Sequence, residues 1–136
     1  MPKPPPRTRP VTIAQAKQYL GKAEEFLASA KDDLTHGRMI AATSSAVHAA
    51  ISAGDIVTGV RTGQRSAGDS HSQAMELLRA SGPDGVELAK DLGRLVALKP
   101  KAEYDPSDIP LGTARQAVER AGRCVDIARR VFASRR

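Results

Sequence analysis

The sequence predicts an all-α, up-and-down bundle of about five helices. Apolar residues recur every three or four positions through most of the chain, and no stretch alternates apolar and polar residues as a half-buried strand would. Aromatic side chains are scarce, with two Tyr, two Phe and no Trp, so alanine supplies much of the 40% hydrophobic fraction. Small side chains suit closely packed helices. No internal repeat appears at solenoid period, and 136 residues suffice for one core that buries about two-thirds of the unfolded chain's surface.

Residues 1–11, MPKPPPRTRPV, hold five of the nine prolines. Their φ angles are locked and their donors few, which predicts an extended or disordered Pro/Arg-rich arm. Residues 12–134 remain as one helical domain. Thr12 with Gln15 forms a capping-box pattern, and Ile13, Ala16, Leu20, Ala23, Leu27, Ala30 and Leu34 then mark a long amphipathic helix ending near His36-Gly37. From Arg38 to Val60 the residues are apolar or small almost all round, so this second helix must be covered on several sides and sit at the centre.

Its only polar line is Ser45, His48, Ser52 and Asp55, all on one face. A catalytic Ser/His/Asp reading fails on length, because seven residues of straight helix separate His48 from Asp55 by about 10 Å along the axis. The line reads as a polar seam or a subunit contact. RTGQRSAGD, residues 61–69, is a loop, and Asp69 or Ser70 can cap a short third helix through Ala74, Met75, Leu77 and Leu78 to Ala80. SGPDG turns into a fourth helix with Pro83 in its first turn, running through Val86, Ala89, Leu92, Leu95 and Leu98 to a stop at Lys99-Pro100. Leu111, Ala114, Val118, Ala121, Val125, Ala128 and Phe132 define the fifth. Arg115, Glu119, Arg123, Asp126 and Arg130 alternate in sign along its other side, a pattern typical of a solvated face.

The net charge of +6 is confined to the ends: residues 1–11 carry +3, residues 111–136 carry +5, and the body between them −2. Such a distribution suits exposed tails that touch something anionic or merely aid solubility. The single cysteine, Cys124, precludes an intrachain disulfide or a multi-cysteine zinc site and fits a reducing compartment. His36, His48 and His71 lack metal-ligand spacing, so no metal or cofactor is expected. Neither a run of about 18 apolar residues nor a signal-peptide core is visible, and the expectation is a cytoplasmic protein without a membrane span.

The segments "AVHAAISAGDIVTG", "GDSHSQAMELL" and "LGRLVALKPKAEYD", in this order between a long first helix and an alanine-rich last one, resemble the HEPN domains of prokaryotes over about residues 13–132. The resemblance implies a helical bundle that commonly forms homodimers and works in toxin–antitoxin, defence or RNA-processing settings, sometimes with a nucleotidyltransferase as antitoxin-like partner. Many members are metal-independent ribonucleases that use an Arg four to six residues before a His. Arg65 and His71 match that string.

A guanidinium can clamp a phosphate bidentately, and an imidazole can accept the proton of a ribose 2′-hydroxyl. The first turn of a helix also favours an anion beside it. A plain capping or surface role is the other reading of His71. Arg61, Lys99, Lys101 and Tyr104 are candidates for nucleotide or RNA contact, with a base stacking on the ring. Alternatively, Tyr104 folds back to seal the bundle end while Lys99 and Lys101 neutralise a helix C-terminus. Two function classes stand: a HEPN-like module that binds a nucleotide, RNA or partner protein, and a small ribonuclease of toxin type.

Overall fold

The computed structural model describes residues 7–68 and 70–135. Its elements run β1 (Thr8–Pro10), α1 (Ile13–Thr35), α2 (Met39–Thr62), β2 (Gln64–Ser66), α3 (His71–Arg79), α4 (Pro83–Val96), α5 (Lys99–Glu103) and α6 (Leu111–Ala133). Six helices and one two-stranded sheet among the described residues make an all-α bundle with a minor β element.

The first helix starts as its sequence dictates: Thr12 Oγ1 accepts from the Gln15 N–H at 3.1 Å, and Gln15 Oε1 accepts from the Thr12 N–H at 3.0 Å. The second helix is the centre of the molecule, packed by α1, α6 and α4. Ala42, Ala46, Ala49, Ala50 and Ala53 are each 0% exposed, so neighbouring backbones approach closely, with Val47, Ile56 and Val57 filling the space between. α2 is long and apolar enough to cross a bilayer by length and composition, yet most of it is buried inside the bundle. The small-residue surface of α2 is therefore largely taken up within the chain itself.

The structure departs from expectation at three places. The arm is extended but also paired: β1 runs antiparallel to β2 with Arg9 opposite Arg65, and the Val11 N–H donates to the Gly63 carbonyl at 2.8 Å. Three-residue strands are too short to show alternation, and the partners lie more than fifty residues apart, so no local pattern announces them. Residues 1–6, the rest of the expected arm, and Asp69, the alternative cap of α3, lie outside the described residues; Ser70 caps α3, its Oγ accepting from the Gln73 N–H at 3.4 Å.

The fourth helix ends at Val96, and Lys99 opens a separate helix, α5, with Pro100 in its first turn, where a missing N–H costs nothing. Finally, the charges of α6 are more than a solvated ladder. Asp91 of α4 accepts from Arg123 at 2.9 and 3.0 Å and from Arg120 at 3.2 Å, and Arg130 reaches toward Asp84 and Glu87.

Candidate functional site

One cleft gathers ionisable side chains from four separate elements. Arg65 stands on β2, His71 on the first turn of α3, Lys99 on the first turn of α5 and Asp55 on α2; with Ser66 and Ser70 they line a space of about 410 Å³. Local sequence explains why these elements end here. Gly63 closes α2 with φ 72°, a left-handed backbone that a Cβ disfavours, and this turn reverses the chain into β2. The arm then fixes β2 from its other side, since the Ala67 N–H donates to the Arg7 carbonyl at 2.9 Å.

Arg65 is held rather than free. Its Cζ lies 5.8 Å from the centre of the Tyr19 ring, and Nη1 donates to the Ser66 carbonyl at 3.2 Å. One of five guanidinium donors is thereby used, and the remainder can serve a ligand. His71 is exposed at the rim, and Lys99 is half-buried.

Asp55 is half-buried and is the most strongly desolvated charge of this cleft. Its desolvation on the apolar central helix pushes the carboxyl up to about 6, against the opposing pull of Arg65 and Lys22. Adjoining the cleft, and sharing Ile51, Asp55, Ser66, His71 and Ala74 with it, is a smaller chamber of about 50 Å³ walled further by Met75, Leu78, Leu92 and Val96. The Ser66 hydroxyl is buried there with no partner among the described residues. An orphaned hydroxyl and a desolvated carboxylate lining one space are costly to keep, and a ligand or ordered water is the usual compensation.

The structure brings Arg65, His71 and Lys99 together and leaves Arg61, Lys101 and Tyr104 outside. Arg61 is engaged by Asp84 at 3.1 Å. Lys101 is half-buried and faces Asp105, whose carboxyl is held low mainly by the Ser107 N–H and to a lesser degree by this lysine. Tyr104 is 80% exposed, so it neither seals the bundle end nor shares a pocket with the lysines. Lys99 sits at a helix start instead of neutralising a C-terminus, because α5 begins with it.

The polar line of α2 also divides. His48 stacks on Phe26 with ring centres 5.3 Å apart, and its Nε2 lies 3.5 Å from Glu103 Oε1, tying α5 to the centre; Asp55 belongs to the cleft. Sequence reasoning missed Asp55, Ser66 and Tyr19 as site residues. For Asp55 the signal was present, since an acid inside an otherwise apolar helix is expensive unless it has a task. The chain matches no family model and no curated protein.

Proposed function

We propose that this chain is a HEPN-like helical module that binds the phosphate of a nucleotide or of RNA in the cleft formed by Arg65, His71 and Lys99. The supporting observation is convergence: three side chains able to donate to an oxyanion, from β2, α3 and α5, line one space together with Ser70 at the start of α3. Fluorescence anisotropy with a labelled single-stranded RNA tests the reading. Arg65→Ala and Lys99→Ala are each expected to weaken binding about tenfold and to flatten its salt dependence, whereas Lys101→Ala and Tyr104→Ala leave it unchanged. Equal affinities for all five proteins would sink it.

A second reading, a metal-independent ribonuclease of toxin type, is favoured by one further observation, that Arg65 and His71 border the same cleft. In that reading Arg65 would hold the scissile phosphate and His71 would take the 2′-hydroxyl proton. Gel analysis of RNA incubated with the wild type and His71→Ala separates the two: cleavage lost in the variant with binding retained supports the enzyme, and no cleavage by the wild type removes it.

A further inference from the structure

The cations explain how an anion is held, but they give no account of Asp55, which faces the same space with the opposite charge. A cleft shaped for phosphate alone would be better without it. We propose that the cleft takes guanine, as a nucleotide or within single-stranded RNA, with the Asp55 carboxylate accepting from the N1–H and 2-amino group of the base and the cations of the outer cleft holding its phosphate. This inference rests on the phosphate-binding reading.

Two placements carry it. First, Asp55 and Ser66, together with Ile51, His71 and Ala74, line both the inner chamber and the outer cleft, whereas Arg65, Gly68, Ser70 and Lys99 line the outer cleft alone. The carboxylate thus stands at the inner boundary with His71 beside the same space, and Arg65 and Lys99 stand farther out, the order in which a nucleotide entering base-first presents its groups. The outer volume of about 410 Å³ lies within the range of small-molecule sites, about 300–1,000 Å³. The inner chamber, about 50 Å³, has room for little more than water, so the base stops at the boundary with its edge against the carboxylate.

Second, the polar atoms at that boundary lack protein partners. The Asp55 carboxylate feels Arg65 and Lys22 through space and takes no hydrogen bond from any described residue, and the Ser66 hydroxyl is buried and unpartnered. Both oxygens of the carboxylate are acceptors, which selects a ligand edge with two adjacent donors. Guanine has that edge. Adenine and cytosine set an acceptor beside their amino group, and uracil flanks its single N–H with two carbonyls, so each turns a lone pair toward the carboxylate. The Ser66 hydroxyl can serve the 6-carbonyl of guanine or a water beneath the ring.

The proton balance gives the proposal a signature. Burial lifts the Asp55 carboxyl to about 6, so guanine preference is full at pH 7.5 and fades as pH falls through that value. The other groups around the cleft are Arg65, Lys22, His71, Lys99 and Tyr19. Held by the cations alone, an RNA phosphodiester would bind no less tightly as the Asp55 carboxyl takes up its proton, because a negative charge facing the phosphate is then removed.

Calorimetric titration of the full chain with GMP, AMP and UMP, repeated with the RNAs UUGUU, UUAUU and UUUUU, provides the test. At pH 7.5 guanine should bind about tenfold or more tightly than adenine or uracil, the discrimination of one bidentate pair. Asp55→Asn, a near-isosteric change, should erase the difference while keeping the shared phosphate affinity, and Arg65→Ala should weaken all ligands alike. Binding without guanine preference in either format overturns the inference and leaves the phosphate reading standing. Absence of binding in both formats overturns the two together.

Discussion

Asp55, half-buried, and Cys124, fully buried, are both desolvated ionisable groups, and desolvation acts on them in the same direction with different results. The Asp55 carboxyl, pushed up to about 6, is above its unfolded value of about 3.9. A raised acid pKa means that the folded state holds the proton more tightly, so the ionised group opposes folding fully above pH 6, and the penalty fades as pH falls toward 4. Asp55→Asn is therefore expected to stabilise the protein by roughly 1–3 kcal/mol at pH 8 and by almost nothing at pH 4, as read by urea denaturation at the two values. A carboxylate retained at such cost is what a ligand site looks like from the side of stability. Cys124 is 0% exposed; burial, with Asp91 adding to it, lifts its thiol to about 12. Native protein should give no reaction with a disulfide reagent at pH 8, and one thiol should appear when guanidinium unfolds it.

Among the elements, β1 and α4 are held by contacts that single substitutions can reach. β1 is anchored by Val11, whose side chain packs against Gly59 of α2: a Cβ on that glycine would lie 2.8 Å from Val11 Cγ1. Gly59→Ala should push the arm off, so the amides of Val11 and Ala67 lose protection from hydrogen exchange while those of α2 keep it. If β2 depends on this anchor to present Arg65, RNA affinity falls with it.

α4 is fastened to α6 by Asp91, only 14% exposed, which binds Arg123 and Arg120. The hydrogen bonds from Arg123 hold its carboxyl below the usual range. That contribution is complete above pH 4 or so and is lost as pH drops below it, since a depressed acid pKa favours folding only while the group is ionised. Asp91→Ala leaves two guanidinium groups without their shared partner and should cost about 1–3 kcal/mol at pH 7, visible as a lower Tm, with the cost shrinking as pH falls below the ordinary carboxylate range.

At the scale of the whole molecule, α2 acts as the axle, and the cleft forms where elements surrounding it end. β2, α3 and α5 are short, and each contributes through its first residues or its turn, so their positions are set by what they pack on. α3 and α4 pack so tightly at Gly85 that a Cβ there would run into the Leu78 carbonyl. Gly85→Ala should move α3 and α4 apart and destabilise the fold by about 2 kcal/mol or more, measured by thermal unfolding. Because α3 carries His71, the same variant should also weaken ligand binding.

The helical class, the capping of α1 by Thr12 and the centrality of α2 were all legible in the chain, because periodicity and caps are local and the 3.6-residue period leaves its mark on composition. Local pattern did not reveal the strand pairing of Arg9 with Arg65, the capture of Arg120 and Arg123 by Asp91, or the sorting of the candidates for ligand contact into Lys99 inside the cleft and Lys101 and Tyr104 outside it. Each of these depends on which element ends beside which. Helix propensity and hydrophobic pattern made the pieces of this protein, whereas the desolvation of Asp55 and the meeting of cations around it exist only after packing, since burial and distance are properties of the assembled fold.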